Sequence, residues 1–180
     1  MRPTVIDLGC ADRGQWNSIH ELARHYRPTR IYGFDPSPQT TTGTYTIDYD
    51  DGPPVPVTVE RTAAWIMNGE VPFEDDLILG GGGPRGYAPY SQISLGRLGT
   101  IGEGTELVSC FDFSAFLEQT GPAVVKMDIE GAEYGLLNHL LEHDTARLMT
   151  ELLIEWHDHP DSRITRALVD AGVTIKDWWM

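Results

Sequence analysis

Short apolar runs that fit buried strands alternate along this chain with stripes that fit amphipathic helices, and this alternation restricts the fold more than any other feature. The run PTVIDLG is followed by apolar residues at helical spacing between Trp16 and Tyr26, and then by the strand-like run RIYGF. The alternation returns with PAVVKMDI, a leucine stripe that ends near His143, MTELLIEWH, a helix over 161–171 and VTIKDWW. Because a strand–helix–strand order is the unit of a parallel sheet, the sequence predicts one α/β domain over residues 1–180, with a doubly wound, mostly parallel sheet.

Two segments depart from this alternation. Between the second and third strands, alternating residues flank DDGPP, which indicates extended chain and a hairpin-like turn. The Asn-Gly pair in AWIMNGEVPF is a second hairpin signal. The glycine-rich stretch over 80–99 has no period and few apolar side chains, so we expect a mobile loop that acts as a lid over a bound substrate, with a passive connector as the alternative.

The charge of the chain restricts its partners. Its 27 acidic residues against 13 lysines and arginines give a formal net charge of −14. Such a field repels nucleic acid and anionic membrane surfaces and attracts cationic ligands. No apolar run approaches the ~20 residues of a membrane span. The N-terminus has no signal-peptide pattern and Cys10 and Cys110 have no metal-ligand spacing, so we expect a cytoplasmic protein with two reduced thiols.

The first two strands end in residues suited to a nucleoside. Asp7 and Gly9 end the first strand, Gly14 begins the following helix, and Asp35-Pro36 ends the second strand. An acid about 20 residues beyond a glycine turn is placed to accept hydrogen bonds from ribose hydroxyls. The fingerprint G-x-G-x-x-G is absent, and an acid at position 7 opposes a pyrophosphate. The pattern favours a nucleoside with a cationic group, and a structural strand–turn–helix corner is the alternative.

The fourth and fifth predicted strands end in further ionisable residues. Asp128, Glu130 and Glu133 follow VVKM, where a strand turns into a helix. At that place Glu133 would stabilise the helix start, whereas Asp128 would pair with Lys126 or face a polar ligand. The fifth strand ends in EWH, where a carboxylate on the same face would raise the pKa of His157.

These motifs, in this order, resemble the FkbM-type S-adenosylmethionine-dependent methyltransferases over nearly the whole chain, and KMDIEGAE is the most specific part. The family implies the class I methyltransferase fold, which is Rossmann-like, and methyl transfer to a hydroxyl of a sugar, glycolipid or other small molecule. It implies the following cofactor-binding residues: Asp7, Gly9, Cys10, Gly14, Asp35, Pro36, Thr62, Ala63, Ala64 and Asp128. An alcohol acceptor also needs its proton removed, and Asp128, Glu130 and His157 are the catalytic candidates for this step, with Asp128 nearest the methyl group and His157 as the second candidate base.

The chain departs from the family pattern in several places. The first glycine turn is one residue longer, and the helix between the second and third strands is missing. We expect the fold to be abbreviated at both ends. A missing cover over the pocket and an exposed Trp178-Trp179 pair on the single chain would fit a homodimer, in which a second subunit closes the pocket. Three alternatives stay open at this point: an inactive nucleoside-binding domain, a divalent metal bound by Asp128, Glu130, Glu155 and His157, and, less favoured, a dinucleotide oxidoreductase.

Overall fold

The computed structural model describes residues 1–10, 18–74, 92–93, 105–157 and 159–178. The strands are β1 (Thr4–Leu8), β2 (Arg30–Phe34), β3 (Gly43–Tyr49), β4 (Gly52–Glu60), β5 (Ala63–Trp65), β6 (Gly69–Glu74), β7 (Gln92–Ile93), β8 (Thr105–Asp112), β9 (Ala123–Met127), β10 (Met149–Ile154) and β11 (Thr174–Asp177). The helices are α1 (Ser18–Tyr26), α2 (Phe113–Thr120), α3 (Glu133–Glu142) and α4 (Ser162–Asp170), and a 3₁₀ turn spans Ala146–Leu148.

Seven of the described strands form one sheet in the order β11-β10-β9-β1-β2-β4-β3. Neighbouring strands are parallel, except that β3 and β4 run antiparallel. The predicted α/β fold with a mostly parallel sheet is therefore confirmed, and its topology is compatible with a Rossmann-like fold. The hairpin predicted around DDGPP is also confirmed, because β3 and β4 pair from Gly43 with Val59 to Tyr49 with Gly52.

Period-two alternation in the central strands produces a core on each face of the sheet. Ile6 in β1 and Val125 in β9 point to the face that packs against α2, α3 and α4. Val5 and Val124, their neighbours in sequence, point to the opposite face, which packs against α1. Helices thus cover both faces, and the central strands are buried on both sides, which explains their continuous apolar sequences.

A second sheet of the described strands has the order β5-β8-β6-β7, and it corrects one prediction. The Asn-Gly pair does not make a hairpin of β5 and β6, because β8 lies between them, parallel to β5 and antiparallel to β6. The side-chain oxygen of Asn68 accepts a hydrogen bond from the Asp112 amide at the end of β8 (3.1 Å). The turn therefore passes over the end of a strand that arrives from more than 40 residues later in the chain.

The chain reverses its direction across the main sheet between β1 and β9. From β1 it moves outward through β2 to β4, and it then returns to the other side of β1 to build β9, β10 and β11. Ligands of open α/β sheets bind beyond the carboxyl ends of the strands at such a switch point. The carboxyl ends of β1 and β9 are therefore the first place to look for a site.

Several sequence predictions fall on residues outside those described. Gly14, Trp179 and most of the segment 80–99 are among them. Trp178, predicted to be exposed, is instead partly buried against the core on the α1 face. The homodimer remains a prediction. None of the described helices has the length and apolar character that crossing a membrane requires.

Candidate functional site

Backbone hydrogen bonds hold the carboxyl ends of the parallel strands side by side. The Asp35 amide donates to Glu60 across β2 and β4 (3.2 Å), and the Gly9 amide donates to Phe34 across β1 and β2 (2.9 Å). On the other side of β1, the Asp128 amide donates to Leu8 (3.1 Å). Asp35 and Asp128 thus lie on one edge, two strands apart, which corresponds to about 10 Å.

Gly9 permits the close contact of β1 and β9 at the switch point. Its φ of +82° lies in the left-handed region, where glycine has no steric penalty. A Cβ atom on Gly9 would lie 1.7 Å from the carbonyl oxygen of Asp128, which is far inside the contact distance. The glycine predicted from the sequence is therefore required by backbone packing beside Asp128.

A buried lysine connects the ends of these two strands. Lys126 is fully buried, and its Nζ lies 3.3 Å from Asp7 Oδ1 and 3.4 Å from Asp128 Oδ2. The same ammonium donates to the Gly9 carbonyl at 2.8 Å. Burial alone would lower the pKa of Lys126, but the two carboxylates raise it, so the lysine stays charged. The predicted pairing of Asp128 with Lys126 is confirmed.

Asp7 is turned into the protein rather than towards the sheet edge. Its side chain is fully buried, and its Oδ2 accepts a hydrogen bond from the Ser18 hydroxyl at the start of α1. Its Oδ1 contacts Lys126 as an ion pair, without a hydrogen-bond partner among the described residues. In this conformation Asp7 anchors Lys126 and α1, and its carboxylate does not line an open surface.

Three carboxylates surround His157, which follows β10. Nε2 lies 2.9 Å from Glu130 Oε2 and 3.6 Å from Asp128 Oδ1, and Nδ1 lies 2.9 Å from Glu133 Oε1. Burial lowers the pKa of His157, but hydrogen bonds to Glu130 and Glu133 outweigh burial and raise it to about 10. The imidazole is therefore protonated at neutral pH when nothing else binds to it.

Glu133 has a larger role than its position at a helix start predicts. It is fully buried, and its Oε1 accepts the amide hydrogen of Ile129 (3.0 Å) as well as contacting His157. Its Oε2 has no hydrogen-bond partner among the described residues. Glu133 is the first residue of α3, and the N-cap residue Ala132 has no capping side chain, so no capping-box motif in the sequence pointed to this contact.

The segment between β9 and α3 turns sharply to bring these acids together. Glu130 has a φ of +56° and Gly131 a φ of +98°, so two consecutive residues adopt left-handed backbone. This turn directs Glu130 back towards His157, and the side chains of Asp128 and Glu130 remain 21% and 13% exposed. The three residues predicted to be catalytic, Asp128, Glu130 and His157, are thus adjacent and accessible.

Glu155 is not the carboxylate that pairs with His157. The sequence placed the two on one face of a strand, but β10 ends at Ile154, so the alternation does not extend to His157. Glu155 keeps a backbone hydrogen bond to Met127 (3.0 Å). Burial and the negative charge of Asp128 raise the pKa of Glu155. It adds negative charge to the cluster from its edge.

The predicted ribose-binding acid lies in a tight turn. Asp35 is 7% exposed, and its Oδ1 accepts hydrogen bonds from the Ser37 amide (2.8 Å) and the Thr40 hydroxyl (3.2 Å). Pro36 follows it, and the Pro36 carbonyl accepts a hydrogen bond from Arg61 (3.2 Å). That contact brings the end of β2 beside the segment that includes Thr62.

A cleft of about 620 Å³ opens beside this part of the edge. It is lined by residues of β2, β4, β8, α2 and the segment between β4 and β5, among them Phe34, Arg61, Thr62, Phe111 and Phe116. The Thr62 hydroxyl donates to the Ser109 carbonyl across the cleft wall (2.9 Å). The rings of Phe34 and Phe111 lie 4.6 Å apart and give the cleft an aromatic floor. Such a surface suits a planar ring.

The remaining predicted cofactor residues do not face this cleft. Ala63 and Ala64 are buried in β5, where they pair with β8. Cys10 is buried and free, and burial together with the charges of Asp7 and Asp35 raises the pKa of its thiol. These three residues shape the surroundings of the edge through packing.

Comparison of the chain with protein-family models, with curated proteins and with solved structures finds no match. The functional argument therefore depends on the geometry of the strand ends and on the motifs of the sequence.

Proposed function

We propose that this chain is an S-adenosylmethionine-dependent methyltransferase of the FkbM type, with a class I methyltransferase fold, which methylates a hydroxyl group of a sugar, glycolipid or other small natural product. The observation that supports it most is the position of the acidic cluster at the switch point of the sheet. Asp128, Glu130 and Glu133 meet there beside β1, and Asp35 lies two strands away on the same edge.

The charge of this edge favours a sulfonium ligand over a dinucleotide. Four carboxylates meet two basic groups among the described residues, so the cluster stays net negative even with both bases protonated. These are Asp7, Asp128, Glu130 and Glu133 against Lys126 and His157. A negative field attracts a cation and repels a pyrophosphate. The adjacent aromatic cleft would accept the planar base of a nucleoside.

The residues of the site have different roles in the proposed methyl transfer. S-adenosylmethionine supplies an electrophilic methyl group, so the main task of the protein is to hold the acceptor oxygen in line with it. The acceptor oxygen would gain the methyl carbon as the carbon–sulfur bond breaks and S-adenosylhomocysteine leaves, and the acceptor hydroxyl would lose its proton. Asp128 is the accessible carboxylate that can take this proton, with an expected contribution of ~10²–10⁴-fold. His157 is already protonated by its contacts, so it orients Glu130 instead of acting as the base.

A calorimetric titration with S-adenosylmethionine, S-adenosylhomocysteine and NAD tests the proposal. We expect both adenosyl compounds to bind in the micromolar range and NAD to bind more weakly. Binding of NAD more tightly than S-adenosylmethionine, or of neither adenosyl compound, would refute the assignment.

The variant Asp35→Ala tests the ribose contact, and Thr40→Val is its matched control. Both remove a hydrogen bond within the 35–40 turn, but only Asp35→Ala removes the carboxylate. Loss of charge-assisted hydrogen bonds of roughly 1.5–3 kcal/mol would weaken binding by about 10–150-fold. An equal loss in Thr40→Val would show that Asp35 acts on the turn and does not contact the ligand.

A further inference from the structure

Asp128, Glu130 and His157 form a cluster of metal-ligating atoms at the switch point. One ligand atom from each lies within 4.8 Å of the others, and all three side chains are partly exposed. Solvent can therefore reach the space between them, although Glu133 behind the imidazole is fully buried.

We propose that these three residues bind a divalent transition-metal ion, with Mn²⁺ and Zn²⁺ as the best-suited ions. His157 Nε2 is 2.9 Å from Glu130 Oε2 and 3.6 Å from Asp128 Oδ1. Two ligands on adjacent positions of an ion with ~2.1 Å bonds lie about 3.0 Å apart in octahedral and about 3.4 Å apart in tetrahedral geometry. The observed separations are close to both values. One imidazole with two carboxylates suits Mn²⁺ or Zn²⁺ better than Ca²⁺, which prefers oxygen ligands alone.

Glu133 supplies an observation that is independent of the three ligands. In metal-binding histidines, the ring nitrogen that does not bind the metal typically donates an N–H hydrogen bond to a carboxylate. This bond fixes the ring and makes the metal-binding nitrogen, here Nε2, a better ligand. Glu133 Oε1 occupies that position at 2.9 Å from His157 Nδ1. Its Oε2 is buried and has no hydrogen-bond partner among the described residues. A buried carboxylate with an unsatisfied oxygen is costly unless positive charge lies close to it, and an ion on Nε2 would supply that charge.

A proton on His157 explains the arrangement less completely than a metal ion does. The proton on Nε2 is shared with Glu130 at hydrogen-bond distance, but the 3.6 Å to Asp128 is too long for a second bond. Lys126 already contacts the other oxygen of Asp128 and leaves Oδ1 directed at the imidazole. An ion between the three side chains would bind Asp128 Oδ1 as well, without any rotation of the His157 ring.

The metal site does not depend on the proposed methyl transfer. If the proposed function holds, the ion would have coordination positions left for acceptor oxygens, which favours acceptors with neighbouring hydroxyl groups. Asp128 would then hold the ion instead of taking the acceptor proton. That refinement of the acceptor rests on the proposed function, whereas the site itself rests on the geometry of the four side chains.

Titration of the full chain with Mn²⁺, followed by the electron paramagnetic resonance signal of the free ion, tests the site without any assay of activity. We expect one equivalent to bind at physiological ionic strength, where nonspecific attraction by the acidic surface is screened. Affinity should fall at least ~10-fold in Asp128→Asn, Glu130→Gln and His157→Gln, and ~10–100-fold in Glu133→Gln. The same series with Zn²⁺ in a calorimeter checks the second ion.

His143→Gln is the matched control for adventitious binding. His139 in α3 and His143, which follows the last residue of α3, have ring centroids separated by 4.1 Å, and they offer an alternative place for a metal ion. Binding lost in His143→Gln but kept in His157→Gln would overturn the proposal, as would the absence of saturable binding. Circular dichroism in the presence of a chelator shows whether each variant is folded.

Pulsed electron paramagnetic resonance of wild-type protein with bound Mn²⁺ keeps the test independent of folding defects in the variants. Coupling of the Mn²⁺ electron spin to nitrogen of one imidazole ring is expected. Coupling to no imidazole ring, or to two different imidazole rings, would refute the ligand set. The S-adenosylmethionine titration separates this inference from the proposed function. Metal binding without cofactor binding refutes only the methyltransferase, and cofactor binding without metal binding refutes only the metal site.

Discussion

Replacing Gly9 with alanine should disrupt the switch point more than any other single methyl group added in this region. The new Cβ would lie 1.7 Å from the Asp128 carbonyl oxygen, a backbone atom that no side-chain rotation can move. The residue would also keep a φ of +82°, which costs an L-residue about 1–2 kcal/mol. Relief requires the ends of β1 and β9 to separate by more than 1 Å, since real Cβ contacts stay above 3.0 Å.

The magnitude follows from the hydrogen bond that this separation would break. The Asp128 amide donates to Leu8 across β9 and β1 at 3.1 Å, and this bond contributes about 0.5–1.5 kcal/mol. Together with the cost of the left-handed backbone at position 9, Gly9→Ala should lower the free energy of unfolding by about 1.5–3.5 kcal/mol. It should also displace Asp128, and metal affinity at the proposed site should fall with it.

Gly131→Ala is the control for this prediction. Gly131 also has a positive φ, +98°, but a Cβ there would meet no atom within 4 Å. Gly131→Ala should therefore lower the free energy of unfolding only by the cost of an alanine at positive φ, about 1–2 kcal/mol. Equilibrium unfolding in urea measures both variants. If Gly9→Ala were no less stable than Gly131→Ala, the close contact between β1 and β9 would be wrong.

Three further predictions concern the charged cluster. Asp128→Asn should change the free energy of unfolding by less than about 1 kcal/mol, because Asp128 is partly exposed and Lys126 keeps a second carboxylate, Asp7. The rate of methyl transfer should nevertheless fall ~10²-fold or more. A large loss of stability in urea would contradict this prediction. Glu133→Gln should lower the free energy of unfolding by about 1–3 kcal/mol, because a buried amide replaces the carboxylate that contacts His157. This loss is larger than the helix dipole alone explains. A melting temperature equal to that of the wild type would disprove the buried contact. Without metal, wild-type stability should decline as pH rises from 6.5 to about 10, since the folded state raises the pKa of His157 and the stabilisation is complete only below 6.5. Denaturation series in chelator should show a smaller decline for His157→Gln, and equal declines would refute the raised pKa.

Local sequence patterns determined the frame of the site. Short apolar runs define β1, β9 and β10, and acidic residues directly follow β9 and β10. Because the carboxyl ends of parallel strands share one edge, Asp35 and Asp128 could be assigned to that edge without coordinates. The pairing of Lys126 with Asp128, which directly follows β9, could likewise be predicted, because an isolated buried carboxylate is costly.

The tertiary structure alone decided which of these groups meet and which are buried. His157 and Glu133 are 24 residues apart, and their contact depends on how the start of α3 lies against the end of β10. No local period encodes that placement, so the sequence paired His157 with Glu155 instead. Asp7 likewise follows the strand pattern, yet Ser18 and Lys126 hold its carboxylate inside the protein. Periodicity fixes the face and the edge on which a side chain lies, whereas its partners and its burial depend on packing between elements that are distant in the chain.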